Sequence, residues 1–280
     1  MRNEMPQARL PDGRLVPALG QGTWRMGESA SRRAAEIAAV RRGVKLGMTL
    51  IDTAEMYGDG GAEQMLGEAL LGLREEVFLV SKVYPHNAGG GALRKACENS
   101  LRRLATDRID LYLLHWRGNV PLKATVEGMT ALQREGKIRY WGVSNFDADD
   151  MAELKAAGGR ACAANQILYN LLRRGPEFDL LPAMAAEKIP AMAYSPIEQG
   201  RLPKSGALAD IAQRLGATTF QVALAWVLRR PEMIAIPKAA DIAHVESNRA
   251  ALHIALDAEA LAALDEAFAP PRRKTPLAMI

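Results

Sequence analysis

Cysteine is nearly missing from this chain: Cys97 and Cys162 are the only two among 280 residues. Two thiols in a protein this large build no disulfide framework, and they lack the paired spacing of a metal site. They read as buried or helix-surface thiols of a cytoplasmic protein, and no resident metal is expected. Long apolar runs are missing too. Ala-rich segment 251–269 is broken by Asp and Glu, so no transmembrane span and no membrane partner is expected. The opening residues Met1-Arg2-Asn3-Glu4-Met5-Pro6 carry no apolar core of a secretion signal. Excess charge of one sign is also missing: 36 Lys and Arg face 32 Asp and Glu, a net +4. Without a clustered basic face or motif this excludes nucleic acid as an expected partner, although a mild positive balance suits an anionic cofactor. Gly20-Gln21-Gly22 is only a fragment of the Gly-x-Gly-x-x-Gly dinucleotide motif. No Pro/Gly/Ser-rich linker divides the chain, which reads as one domain over 1–280.

What is present is an alternation. Short apolar or β-branched runs lie near 17–22, 49–52, 77–82, 109–114, 138–143, 163–167, 190–194 and 233–236. Amphipathic helical stretches separate them, near 30–46, 62–71, 91–105, 122–135, 147–156, 177–187, 206–214 with 218–229, and 241–250, with a last one at 257–268. Eight strands alternating with helices point to an α/β protein with a parallel sheet, and at this length to a closed (β/α)8 TIM barrel. A doubly wound open sheet is the weaker choice without its glycine motif. Residues 9–16, with Asp12-Gly13 as the turn, read as a leading hairpin. Pro270-Pro271-Arg272-Arg273-Lys274 reads as a non-helical strap.

Polar residues end several of the apolar runs. Asp52 follows Thr49-Leu50-Ile51, Tyr57 lies five residues on in a Gly-flanked loop, Lys82 closes Val77-Phe78-Leu79-Val80-Ser81, and His115 closes Leu111-Tyr112-Leu113-Leu114. Strand ends of a parallel barrel converge on one mouth, where its chemistry takes place. Each residue alone has an ordinary structural explanation, such as a cap, a surface tyrosine, an ion pair or a core histidine. Together they divide the labour of protonating a carbonyl oxygen. Lys82 favours the phenolate and so lowers the pKa of Tyr57, Asp52 holds Lys82 charged, and His115 orients the carbonyl. None of the four supplies a hydride, so a cofactor must. Later strand ends offer a seat for it: Ser144-Asn145, Asn165-Gln166, Tyr194-Ser195-Pro196 and Ile236-Pro237-Lys238 bring amides, a ring that can stack, and a cation before a helix.

In these segments the chain resembles the aldo-keto reductase family. The matching stretches are Gly20-Gln21-Gly22-Thr23-Trp24, Ile51 to Gly58, Val80-Ser81-Lys82, Leu113 to Trp116, Gly142 to Phe146, Asn165-Gln166, Ala193 to Pro196 and Ile236-Pro237-Lys238. The resemblance implies a barrel capped at its bottom by the N-terminal hairpin, and a nicotinamide cofactor lying across the mouth. It implies a catalytic tetrad of Asp52, Tyr57, Lys82 and His115. It places Gly22, Thr23, Trp24, Ser144, Asn145, Gln166, Tyr194, Ser195, Lys238, His244 and Asn248 at the cofactor. Trp24, Met56 and Trp116 become the apolar walls of the substrate site. The expected activity is NADPH-dependent reduction of small aldehydes and ketones, dicarbonyls such as methylglyoxal included, by a monomer. Ala239 and His244 stand where the family often has Ser and Arg, so NADH is an admissible second cofactor. The tail after the last helix is short, which implies few substrate contacts from it and an open site. Two other readings stay on the page: a cofactor-binding regulatory or sensor protein with little turnover, and a Schiff-base aldolase using Lys82.

Overall fold

The computed structural model describes residues 4–280. A hairpin comes first, β1 (Gln7–Arg9) against β2 (Leu15–Pro17), antiparallel, with Gly13 at φ 93° in its turn. Eight strands then follow: β3 (Gln21–Gly22), β4 (Leu50–Asp52), β5 (Phe78–Val83), β6 (Ile109–Leu114), β7 (Ile138–Ser144), β8 (Asn165–Leu168), β9 (Ala191–Tyr194) and β10 (Met233–Ala235). Each pairs in parallel with its sequence neighbour. Parallel bridges between Leu19 and Ala235 and between Gly22 and Lys238 join the first strand to the last. The sheet therefore closes into the (β/α)8 barrel that the alternation predicts. Gly22 is needed at this seam, because a Cβ there would lie 2.8 Å from the Ile236 carbonyl oxygen.

Helices α1 (Ala30–Lys45), α2 (Gly61–Ala69), α3 (Gly90–Arg103), α4 (Leu122–Arg134), α5 (Ala148–Ala156), α6 (Leu180–Ala186), α7 (Ala207–Arg214), α8 (Thr219–Leu228) and α9 (Ile242–Ala250) form the outer ring, and α10 (Ala258–Ala267) follows. Local chemistry sets several boundaries. Asp147 with Asp150, and Thr218 with Gln221, form capping boxes at α5 and α8. Helix α6 is shorter than the expected 177–187. Gly175–Glu177 form a 3-10 turn, and the Asp179 carboxylate accepts the Leu180 N–H and restarts the helix there. The first barrel strand begins later than the expected 17–22, since Pro17 ends β2, and residues 18–20 then pair with Ala235 of the last strand.

The barrel interior is apolar at its lower end. Leu50, Phe78, Val80, Leu111, Leu113, Met192 and Ile234 form one buried cluster with Ala8, Leu10 and Val16 of the hairpin. The hairpin therefore plugs the bottom, and the period-two pattern of the strands fills the middle. Among the described residues no helix is long and apolar enough to cross a membrane.

Candidate active site

Strand parity decides which side chains reach the mouth. Leu50, Val80 and Leu113 point into the barrel, so the residues two further along, Asp52, Lys82 and His115, point into it one layer higher. The register Asp52 to Val80 and Lys82 to Leu113 staggers them into adjacent levels. Tyr57 arrives from the β4–α2 connection, a tight turn in which Gly58, Asp59 and Gly60 all have positive φ. Gly60, at φ 88°, leaves room only for its hydrogen, since a Cβ would lie 2.6 Å from Arg103.

Lys82 is fully buried, and its Nζ donates to Asp52 Oδ2 at 2.7 Å, to the Thr53 carbonyl at 2.7 Å and to Tyr57 Oη at 3.1 Å. These are all three of its N–H groups. Asp52 Oδ1 accepts from Gln166 Nε2 at 2.7 Å. The Tyr57 ring stands edge-on to Trp24, with centroids 5.1 Å apart, and to His115 at 5.9 Å. Because Tyr57 accepts from Lys82, its own proton is free to point at the cavity above. The phenol is not shifted as the sequence suggests. Burial, reinforced by the Asp52 charge, raises its pKa well above the ordinary tyrosine value, so it stands protonated at neutral pH. Lys82 carries a partner carboxylate, and the pair offers little net positive charge with which to lower it. Burial also lowers the pKa of Lys82 and raises that of Asp52, and their 2.7 Å contact offsets both penalties.

Above these residues opens a cavity of about 650 Å³. Trp24, Met56 and Trp116 line it, Trp24 packed against Tyr57 and Trp116 against His115. Gly22, Ser144, Asn145, Gln166, Tyr194, Ser195, Lys238, His244 and Asn248 line it as well. Thr23 does not line it: its buried hydroxyl donates to the Asp52 carbonyl at 2.9 Å, behind the wall. The Asn145 and Gln166 amides are already engaged with neighbouring groups. Asn145 Nδ2 donates to the His115 carbonyl and to Ser144 Oγ, both at 3.1 Å, and its Oδ1 accepts from Tyr194 Oη at 2.9 Å. Gln166 thus links the cavity to the Asp52 carboxylate.

A family model described as the aldo/keto reductase family matches residues 18–269. The chain belongs to the aldo/keto reductase family. It is 55% identical over 271 residues to methylglyoxal reductase YeaE of Escherichia coli (strain K12), covering 95% of both proteins. It superposes with a TM-score of 0.96, at 53% identity, on an aldo/keto reductase from Klebsiella pneumoniae crystallised with NADP and acetate, covering 99% of this chain and 100% of that one. The same measures hold for a Klebsiella pneumoniae structure in complex with NADPH.

Sequence reasoning misses several lining residues of this aldo-keto reductase. Arg25, Ile197, Gln199, Phe220, Met279 and Ile280 all face the cavity. Arg25 and Gln199 have φ of 62° and 54°, backbone states that no pattern in the sequence signals. The tail does more than its length implies. Lys274 pairs with Asp149 at 2.6 Å, Leu277 packs against the core, and the chain then brings Met279 and Ile280 to the cavity. The site is less open than expected on that side.

His115 carries a measurable consequence. Burial, with the Lys82 charge nearby, pushes its pKa from 6.5 down to about 2, and its Nδ1 has no hydrogen-bond partner. The imidazole is neutral throughout the working range. In the unfolded chain it gains a proton near its ordinary value, so between those two pKa values the unfolded state binds more protons. Stability from this group therefore rises with pH across that window and is lost as pH falls below about 6.5. At pH 5 the loss relative to pH 7 should be about 2 kcal/mol. Urea melts of the wild type and His115→Gln at both pH values test this, and an equal loss in both proteins would remove His115 as the cause.

Proposed function

We propose that this aldo-keto reductase reduces small aldehydes and ketones, dicarbonyls such as methylglyoxal among them, with NADPH. The observation that carries the proposal is the Tyr57 hydroxyl, hydrogen-bonded from behind by a buried Lys82–Asp52 pair and facing a cavity that Lys238 also lines. The cavity fits the cofactor by its own chemistry. Lys238 is exposed, with no ion pair among the described residues, beside the start of α9, and the buried Asn248 amide has no partner there. Lys238 would take phosphate, and Tyr194 and Ser144 would flank the nicotinamide. When bound, the nicotinamide supplies the hydride. Tyr57 then delivers its proton to the carbonyl oxygen, and Lys82 stabilises the phenolate that remains. Neutral His115 offers an N–H to the same oxygen and fixes its direction. The relatives that carry methylglyoxal reductase and NADP in their descriptions support this reading.

The aldolase reading fails on Lys82, whose three N–H groups are all held and whose amine is not presented to the cavity. A sensor without turnover has no feature of the site in its favour. Free, buried Cys97 and Cys162 suit a cytoplasmic enzyme, and we take residues 1–280 as one domain acting as a monomer. One cooperative melt and a monomeric mass by light scattering would test this.

The direct test is NADPH oxidation with a panel of small aldehydes and dicarbonyls. Turnover supports the reductase; cofactor binding with no turnover across the panel would overturn it. Cofactor choice is tested separately. His244 Nδ1 lies 2.6 Å from Asp241 Oδ2, and its backbone N–H donates to Oδ1 of the same carboxylate. With its Nδ1 side turned to Asp241, the His244 ring offers a phosphate at most its Nε2 side, where an arginine would offer a bidentate pair of N–H groups. His244→Arg should therefore raise NADPH affinity relative to NADH by roughly tenfold, the scale of one charge-assisted hydrogen bond. An unchanged ratio would mean that this turn does not read the 2′-phosphate.

A further inference from the structure

Lys82 Nζ and Tyr57 Oη meet at 3.1 Å, yet they reach that point on different segments. Lys82 stands on β5, whose pairing with β6 fixes it. Tyr57 rides on a turn whose next three residues, Gly58, Asp59 and Gly60, have positive φ. For Asp59, at φ 50°, that backbone state is strained, and it persists only where the surroundings impose it. Two neighbours clamp the turn. On one side is the β3–α1 connection: a Cβ on Gly61 would lie 2.5 Å from the Gly27 carbonyl oxygen. On the other is Arg103, the last residue of α3. A Cβ on Gly60 would lie 2.6 Å from its Cδ and 2.7 Å from its Nε. The Arg103 side chain is therefore the floor of the turn.

A carboxylate holds that floor in place. Arg103 Nε donates to Glu63 Oε2 at 2.6 Å, and its Nη2 donates to Ser100 Oγ at 3.2 Å. Glu63 lies in the first turn of α2 and is fully buried. Its other oxygen, Oε1, accepts from Ser81 Oγ at 2.6 Å. Ser81 precedes Lys82 on β5 and faces away from the barrel where Lys82 faces into it. One buried carboxylate thus ties the turn that delivers Tyr57 to the strand that delivers Lys82. An ion pair that only joined α2 to α3 would need no bond to β5. The Glu63 charge also favours the protonated form of Lys82 against the effect of burial. We propose that Glu63 and Arg103 are positioning residues for the proton transfer, a bracket that sets the separation of Tyr57 from Lys82. Glu63, Arg103 and Ser81 do not line the cavity, so they act through the placement of the phenol and not by contact with substrate or cofactor. The inference rests on the general-acid reading of Tyr57 above and adds what holds that acid in register. Misplacing a reacting group by about 1 Å can slow a reaction by roughly 100-fold.

The test is single-turnover oxidation of NADPH with saturating methylglyoxal, beside an NADP+ binding isotherm and a urea melt for each protein. Arg103→Met removes the floor and strands Glu63, so it should lower stability. In the folded variant the single-turnover rate should fall by about 10- to 100-fold, with NADP+ affinity within about twofold of the wild type. Ser81→Ala removes one hydrogen bond and no charge, and should slow the same step by about 3- to 10-fold. Both changes open the same bracket, so the double variant should be no more than about twofold slower than Arg103→Met. A single-turnover rate that stays at the wild-type value in folded Arg103→Met makes the pair structural only and overturns the proposal. Rate and cofactor affinity falling together overturn it as well, because the whole cavity would then be deformed. Multiplicative losses in the double variant show two independent effects and no bracket. If Arg103→Met does not fold, Ser81→Ala decides alone: a slowed step with intact affinity supports the bracket, and an unchanged step removes it. A wild-type protein that binds NADPH without turning over ends the general-acid reading and this inference with it, whereas wild-type turnover with unaffected variants ends the inference alone.

Discussion

Tyr57→Phe removes one oxygen atom and should lower carbonyl reduction by about 10²- to 10⁴-fold, the range expected for a lost general acid. The argument starts from the three hydrogen bonds of Lys82, one of which ends on Tyr57 Oη. With that oxygen accepting from behind, the phenolic proton faces the cavity, and burial keeps it in place at neutral pH. The other groups that line the cavity beside it are committed: Tyr194, a second phenol, gives its proton to Asn145 Oδ1, His115 is held neutral as an imidazole, and Asp52 is engaged by Lys82 and Gln166. The phenyl ring of the variant keeps its edge contacts with Trp24 and His115. NADP+ affinity should therefore change by less than about twofold, because the Tyr57 hydroxyl is assigned to the carbonyl and not to the cofactor, and the wall keeps its shape. Steady-state turnover with methylglyoxal and a separate binding isotherm measure the two effects. Turnover near that of the wild type would take the acid role from Tyr57.

The second large effect concerns the Asp52–Lys82 pair. A fully buried ammonium against a nearly fully buried carboxylate is expensive to desolvate, and removing either partner strands the other. Asp52→Asn and Lys82→Met should each destabilise the fold by about 3–5 kcal/mol. The double variant strands neither partner of the pair, and Asn can still meet Gln166. It should be more stable than either single variant, although the Thr53 carbonyl still lacks its donor, a cost of about 1–3 kcal/mol. All three variants should lose activity: Lys82→Met and the double variant lack the ammonium that stabilises the phenolate, and in Asp52→Asn the buried Lys82 loses the carboxylate that opposes its desolvation and shifts toward the neutral amine. Urea melts and turnover assays on the four proteins complete the cycle. A double variant at least as unstable as the sum of the singles would show that the two side chains stabilise the barrel independently. The pair would then be structural rather than kept for chemistry.

What the linear sequence determined here is the periodicity and its punctuation. Apolar runs of strand length, ended by Asp52, Lys82, His115, Ser144 and Tyr194, follow from local pattern alone, and alternation with amphipathic helices admits few folds other than a parallel barrel. Side chains two apart on a strand face the same way, so a polar residue placed two beyond Leu50, Val80 or Leu113 had to reach the mouth. That much is local stereochemistry and needs no tertiary information. The three-dimensional arrangement decided everything set by distance across the barrel. The direction of the Tyr57 pKa depends on how completely the ring is buried and on a carboxylate beyond Lys82, and burial is a property of the whole fold. Thr23 turned behind the wall because its hydroxyl found the Asp52 carbonyl on the next strand. Phe220 entered the cavity because α8 packs on α9, and Met279 and Ile280 because Lys274 and Asp149, 125 positions apart, hold the tail across the barrel. Such contacts join segments remote in the chain, and no local pattern encodes where two remote segments meet.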